Sequence, residues 1–592
     1  MNIFVERDWA WHETDAFCAM RRLKQSCLCF SAVGLAAIST AEQRRRSRDC
    51  LLSSRRAVRA AVCAARIAAR YKRLAWTWPG DAKLYEVQRS KVHRECAEMA
   101  LRMCSCNGGM FVKMGQHAAT LGPAVPTEYV QALVSLQDQA PAGSWFDVMH
   151  VVKTQLKLSE LDEVAGPQGI FAEFDREPVG SASLAQVHRA RLSDGAEVAV
   201  KVQHRGIEAV VSSDLFIVRC LNGILSRLFK EEGFSMAWAI EEFERNVAHE
   251  LNFLEEAEHA TRCREFFQLH QTLRANVHVP RVHAELTGPK LLVMDFSRGL
   301  PIGRLTEAVR KVGSKPQADA VLSDSEKEAL MTARSAAHTL AAAFGAMCFS
   351  SGFVHCDPHP GNLLVEIGKT AAETRLVILD HGLYCNLSKK RRLAMCSLWQ
   401  GMVLQDDVLL LSSAAILGID PSTAELLPIY FTNRSRSTKA GLGQPITLDE
   451  KGKLKKQLME SGLLPKESSA ASFAMSGLGM LAERLPADML MVMRTMHLVA
   501  ALHRDLGGKP TERFLLYADA AVAGQAQLEW FPRHIRFIAT WLCHAMFHMR
   551  LWLKEAYLKF AYSRKGACEH FSIARSLAEI AQEQEHRKIM GR

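Results

Sequence analysis

Asp357, Asn362 and Asp380 have the types and the spacing of a phosphoryl-transfer site. Asp357 opens the run Asp357-Pro358-His359-Pro360-Gly361-Asn362, and Asp380 closes the apolar run Leu376-Val377-Ile378-Leu379 ahead of His381-Gly382. A carboxylate, an amide five residues on and a second carboxylate before glycine match a catalytic-loop Asp and Asn followed by a metal-holding Asp. Such chemistry needs oxygens on Mg²⁺ and one more carboxylate at the accepting group, because positioning and charge stabilisation supply most of the rate. Asn362 and Asp380 are therefore candidate metal ligands, and Asp357 the candidate proton-accepting or substrate-positioning group. His355 and His381 read as structural, the first hydrogen-bonded in the loop and the second packed where Phe is usual. The pattern is short enough to arise by chance, so its weight rests on a nucleotide-binding half upstream.

That half begins at Gly180-Ser181-Ala182-Ser183-Leu184-Ala185-Gln186-Val187. Against a phosphate-binding G-x-G-x-x-G-x-V loop, Gly180 and Val187 match, and Ala182 and Ala185 stand where the second and third glycines belong. Glycine lets backbone N–H groups approach phosphate closely; each methyl restricts the loop, so nucleotide binding should persist with altered phosphate geometry. Fourteen residues past Val187, Val198-Ala199-Val200-Lys201 supplies a strand-borne Lys for the α- and β-phosphates, with Asp194-Gly195 as the hairpin turn between.

These side chains need a small sheet and a helical body to hold them. Residues 171–175 and 184–191 read as strands, and Leu291-Leu292-Val293-Met294-Asp295 as the strand to a hinge, Met294 packing against adenine. Residues 332–350, Ala-rich and helical in period, should deliver the catalytic loop. Past Gly382 the chain enters a helix at 389–405, with no Ala-Pro-Glu and no long activation segment on which a peptide would dock. Residues 406–525 read as helical, including a Met-rich core run at 489–502, and 433–443 as a disordered connection. Upstream, 84–106 is helical, stopped by Asn107-Gly108-Gly109. Met110-Phe111-Val112-Lys113-Met114-Gly115-Gln116 follows, then a helix opened and capped by Thr127.

The 592 residues carry a net charge of +11, 48% apolar residues and 23% charged ones, so two to four structural units with real cores are expected and bulk disorder is excluded. Sixteen Cys without paired Cys-x₂-Cys spacing imply neither a zinc site nor a disulfide framework, and reduced thiols in an intracellular compartment are expected. The charge is concentrated: residues 41–75 hold eleven Lys or Arg against Glu42 and Asp49. Residues 26–39 are apolar but short for a membrane span, and 57–70 form an Ala/Arg helix with a basic side. Organelle targeting, docking on anionic lipid and a solvated basic linker all fit this arm. No aromatic-interleaved basic face follows, so nucleic acid is not an expected partner. Residues 529–562 read as a long helix, packed on the large lobe or lying at an interface.

The ordered set resembles the aarF/UbiB-type atypical kinases, specifically the animal subgroup with Asp-His-Gly in place of Asp-Phe-Gly. The carrying stretches are FVKMGQ (111–116), PVGSASLAQVHRA (178–190), VAVKVQH (198–204), HELNFLEEA (249–257), the 355–364 loop and LDHGLY (379–384). The resemblance implies an α+β, atypical protein-kinase-like two-lobe fold with an added N-terminal helical Lys-x-Gly-Gln segment and a helical C-terminal extension. Its units would be a basic arm (1–80), the Lys-x-Gly-Gln segment (84–165), an N-lobe with a helical insert (166–300), a helical C-lobe (301–525) and C-terminal amphipathic helices (526–592). It places Lys113 and Gln116 on helices that cover the active site and hinder protein substrates. Gly180, Ala182, Ser183 and Ala185 fall in an alanine-rich nucleotide loop, and Glu256 becomes the partner of Lys201. Glu250 and Asn252 fall on a Glu-x-Asp motif; Asn252 lacks the family's charge, so an ionic link to the Lys113 region must rest on Glu250. A helix pair at 214–229 and 235–249 would be inserted between Lys201 and Glu256. The implied function is an ATP- and Mg²⁺-dependent kinase or ATPase acting on a lipid or isoprenoid-quinone substrate at a mitochondrial, plastid or other organelle membrane. The alternatives are a nucleotide-binding scaffold with negligible turnover and a protein serine/threonine kinase.

Overall fold

The computed structural model describes residues 41–77, 82–120, 125–133, 135–136, 143–160, 164–166, 169–230, 236–313, 323–368, 373–424, 427–428, 486–525, 542–550 and 552. The apolar 26–39 stretch, the 433–443 connection and most of 526–592 lie outside these residues. The chain has the two-lobed α+β architecture expected of it.

The small lobe is an antiparallel sheet of β1 (Phe171–Phe174), β2 (Gly180–Ser181), β3 (Ala185–Leu192), β4 (Glu197–Gln203) and β6 (Leu291–Asp295), ordered β1-β3-β4-β6 with β2 on β3. Alternation buries Val198, Val200 and Val202 of β4 on one face and turns Lys201 to the other, as the two-residue pleat requires. Register sets Lys201 opposite Val187 on one side and Leu292 on the other. The buried valines pack with Val148, Val151 and Val152 of α5 (Trp145–Gln155). That helix, read above as part of the 84–165 segment, thus closes the small-lobe core.

The N-terminal cover comprises α1 (Ala41–Trp76), α2 (Ala82–Asn107), α3 (Gly109–Thr120) and α4 (Thr127–Leu133). Gly108 and Gly109 adopt positive φ at the α2–α3 corner, where a side chain would be strained. Thr127 is the first residue of α4, and its hydroxyl donates to Glu128 instead of accepting an amide at N3, so the cap expected of it is not made. The inserted pair is α6 (Ile207–Leu228) and α7 (Ala237–Glu250). Helix α6 starts seven residues before the expected 214, because Glu208-Ala209-Val210-Val211 offers no breaker after Gly206. Met110 of the cover, Leu184 of the nucleotide loop and Ile207, Val211, Phe243 and Val247 of the insert share one apolar cluster. Next, α8 (Phe253–Leu269) is capped by the Asn252 side chain, which accepts from the Leu254 amide at 3.2 Å.

The large lobe holds β5 (Val277–His278), β7 (Leu300–Pro301), α9 (Ile302–Gly313), α10 (Asp324–Gly345), β8 (Phe353–His355), β9 (Leu363–Glu366), β10 (Arg375–Ile378), β11 (Tyr384–Asn386), α11 (Lys389–Leu404), α12 (Asp407–Leu417), α13 (Ala487–Asp505) and α14 (Pro510–Gln525). A Ser323–Glu326 capping box starts α10, satisfying two end amides, and its Ala-rich stripe is buried against the other helices. A π-helical turn, Ala346–Ser351, follows it and ends at Gly352 with φ +72°. The Gly352 amide donates five residues back to Met347 at 2.8 Å. Phe349 from this turn packs with Trp399 and Tyr517, and Arg392 donates to the Phe349 and Gly524 carbonyls at 2.7 and 2.9 Å.

Candidate active site

The structure brings Lys201, Glu256 and Asp380 together at the mouth between the lobes. Lys201 Nζ lies 2.6 and 2.8 Å from the two Glu256 oxygens and 3.1 Å from Asp380 Oδ2. Glu256 is 2% exposed, and burial pushes its carboxyl up to about 7 against the pull of Lys201. For Asp380 burial also pushes upward, but Lys201 and the Gly382 amide outweigh it and hold the carboxylate well below its usual range. Lys201 stands above its usual value: burial works against the ammonium, and Asp380 and Glu256 overcome it. Lysine ionised between two acids is fixed at one point, while Asp380 stays ionised and available as an oxygen ligand.

Asp357 and Asn362 face this trio from the 353–362 loop. Asn362 Nδ2 donates to the Asp357 carbonyl at 3.3 Å and to its Oδ2 at 3.2 Å, which orients the amide so that its oxygen is left for a cation. The His359 ring accepts from the Gly361 amide, capping the short turn that carries Asn362. His355 is fully buried; its Nδ1 accepts from the Asp357 amide at 3.1 Å, so Nε2 must donate to the Asp380 carbonyl at 2.6 Å. One imidazole thus spaces the two acids. His381, also buried, lies 3.1 Å from the Ile378 carbonyl and 2.8 Å from the Tyr384 hydroxyl. Burial and the neighbouring His355 lower it to about 3, so it is neutral. Its carbonyl takes a 3.1 Å contact from His259 on α8, tying the Glu256 helix to the Asp-His-Gly turn.

The nucleotide loop is fastened. The Ala182 amide donates to the Ala185 carbonyl at 2.8 Å, and the Ala182 carbonyl is 3.0 Å from His204 Nε2 at the end of β4. Its alanines have different fates. Ala182 is exposed beside half-buried Ser183, so its methyl narrows the loop's open side, whereas Ala185 is buried with Phe253, Leu292 and Met294. Val187 is half-buried and Gly180 exposed on β2. Met294 is thus placed in the packing under the loop, beside Ala199.

The cover reaches into the same cleft. Lys113 of α3 pairs with Glu250 at the end of α7, and Gly382 packs beneath that carboxylate, where an added Cβ would meet Glu250 Cγ at 3.5 Å and Asp380 Oδ1 at 3.2 Å. Burial opposes the Lys113 charge, but Glu250, Asp357 and Asp380 together hold its pKa above the usual lysine value. A cation from outside the two lobes therefore stands near the Asp357 and Asp380 carboxylates. Gln116 does not enter the cleft; its Nε2 donates to the Leu136 carbonyl at 2.9 Å and fixes the chain after α4. Asn252 caps α8 and donates to Glu255 at 3.0 Å, so Glu250 carries the ionic link alone.

The ABC1 atypical kinase-like domain matches residues 135–413. AarF domain-containing protein kinase 1 of Xenopus laevis is 33% identical over 433 residues, which cover 73% of this chain and 75% of that protein. The chain belongs to this family. The Drosophila melanogaster AarF domain-containing kinase 1 is 30% identical over 451 residues, covering 76% of this chain and 79% of its own. Among solved structures, a Mycobacterium tuberculosis protein in complex with erythromycin shares 21% identity over 67% of this chain and 88% of its own, at a TM-score of 0.39, too loose to carry an argument. In this ABC1 member the donor set of Asp380, Asn362 and Asp357, all oxygen and ionised at its centre, fits a hard divalent cation, and Lys201 fits polyphosphate. Two contacts escaped the sequence: Arg56 with buried Asp214, joining α1 to α6, and His204 with the loop. Asp214 inside an apolar helix was the available signal for the first.

Proposed function

We propose that this chain is an ATP- and Mg²⁺-dependent atypical kinase or ATPase acting on a lipid-linked, isoprenoid or quinone-like small molecule at a mitochondrial or other organelle membrane. The observation that carries the reading is Lys113 poised over a cleft whose Lys201, Glu256, Asp380, Asp357 and Asn362 are all in place. A scaffold has no use for that full set, and a peptide would have to displace the cover. Mg²⁺, when bound, would supply positive charge to offset that of the phosphates. Asp380 and Asn362 would hold that ion, Lys201 would orient the α- and β-phosphates, Glu256 would keep Lys201 in line, and Asp357 would align the accepting group and take its proton.

The membrane part rests on α6 and α1. Helix α6 has a mean hydropathy of 1.4 over eighteen residues, long and apolar enough to span a bilayer, yet only 11% of that window is buried. Phe216, Ile224 and Leu228 are exposed, while Asp214 is held by Arg56 of the basic α1. An apolar stripe beside a basic helix suits the surface of an anionic bilayer better than its interior.

Phosphate release from Mg-ATP, measured with and without anionic liposomes, tests the reading. Release that rises with liposomes and vanishes in Asp380→Asn supports it. Failure of the wild type to bind any nucleotide would sink it, and efficient transfer to peptides would replace it with the serine/threonine kinase reading.

A further inference from the structure

Far from the cleft, three side chains converge where the C-terminal helical residues 542–550 meet α14. Phe547 anchors this stretch, 4% exposed in the large-lobe core. His544 and His548, one turn apart, lie on the same side of the helix, with rings stacked at 6.3 Å and 23°. Asp519 of α14 meets both: its Oδ1 is 3.1 Å from His548 Nε2 and 3.7 Å from His544 Nδ1. No edge of the donor triangle exceeds 4.8 Å, and among the described residues no other three His, Cys, Asp or Glu converge this way.

We propose that Asp519, His544 and His548 form a transition-metal site, most suited to Zn²⁺, that clamps the C-terminal helix to the large lobe. Two imidazoles and one carboxylate on a half-buried surface are the ligand types zinc takes, and they are too nitrogen-rich for Mg²⁺ or Ca²⁺. Tetrahedral bonds of 2.0–2.1 Å set ligand atoms about 3.3 Å apart, and the two Asp519–His distances straddle that value. The third edge closes by rotation of one ring. Three protein ligands leave one position for water.

The clamp would act on more than the tail. Helix α14 lays Tyr517 against Gly345 and Gly524 against Phe349, the residues around the π turn that leads to the catalytic loop. A metal here would brace that turn from behind.

Co²⁺ titrated into the metal-free full chain reads the site directly. One equivalent should bind with ligand-field absorption but without thiolate-to-cobalt charge transfer, should be displaced by Zn²⁺, and should be unaffected by Cys543→Ser. His544→Ala and His548→Ala should each weaken binding at least about tenfold. His548→Gln keeps an N–H donor for Asp519, so it should leave the helix docked by limited proteolysis and still lose Co²⁺. Asp519→Cys should introduce the thiolate band. No Co²⁺ binding by the wild type, a wild-type spectrum dominated by thiolate, or unchanged affinity in the His variants would each overturn the proposal and leave a metal-free hydrogen-bonded clamp.

Discussion

Two lysine–glutamate pairs meet at the cleft, and they differ in what they join. Lys201 and Glu256 are both kinase-lobe residues, Glu256 is nearly inaccessible, and the ammonium is shared with Asp380. Lys113 and Glu250 join the cover to the insert, with side chains 25% and 22% exposed, and Asp357 and Asp380 act on Lys113 only through their charge. Only five residues lie between the two glutamates along the chain. On the function proposed above, the inner pair would fix charge where phosphates bind, and the outer one would decide whether anything else gets in. Breaking the inner pair strands the buried Glu256 charge, whereas both partners of the outer pair keep some contact with water.

The largest expected effect follows from removing the acid shared with the inner pair. Asp380→Asn should cut phosphate release on the order of 100-fold or more while nucleotide binding, followed by thermal shift, persists. Lys201→Met or Glu256→Gln should cost roughly 10- to 100-fold in release, because the phosphates lose an aligned cation but the metal ligands remain. The outer pair should respond in the opposite sense. Lys113→Met or Glu250→Gln should raise release or peptide labelling by about two- to tenfold, as expected for an equilibrium shifted by about 1 kcal/mol, with faster amide exchange in α3 and α7. A collapse of turnover matching that of Lys201→Met would show that the two pairs do one job.

Smaller effects sharpen the contrast between the linkers. Asn252→Ala removes the α8 cap and should cost about 0.5–2 kcal/mol by chemical denaturation, while Asn252→Asp should hold within about 0.5 kcal/mol. The least should come from pH. Burial raises the Asp214 carboxyl from 3.8 to about 6, the Arg56 charge offsetting only part of it. A raised carboxyl takes up its proton more readily in the folded chain, so its contribution is complete below pH 3.8 and fades as pH rises through 6. The difference in melting temperature between the wild type and Asp214→Asn should therefore change over that window and stay flat above it.

Much of the inner site was legible because it is written locally. Val198 to Lys201 alternates as a strand must, the 355–364 loop is contiguous, and Leu376–Asp380 runs straight to its glycine. The cover was legible only through resemblance, since nothing local tells Lys113 that Glu250 lies opposite. Arg56 and Asp214, 158 residues apart, are a tertiary coincidence of two helices. Ala182 and Ala185 look equivalent in the loop pattern, yet Ala182 sits in the exposed turn between β2 and β3, whereas Ala185 opens β3 inside the core. His544-x₃-His548 was visible as spacing, but without Asp519 it is one helix face among many.

The π turn at Ala346–Ser351 makes the length of the preceding helix a fixed quantity. A helix advances about 100° per residue, and a π turn holds one residue more than regular winding would. Deleting a single residue there would let α10 run on in ordinary register and swing the exit at Gly352 by roughly that angle. Asp357 and Asn362 would then point away from Lys201, although no side chain in the cleft had been changed. Insertions and deletions should therefore be far less tolerated in this turn than conservative substitutions are, and a one-residue deletion should abolish phosphate release while sparing the small-lobe sheet.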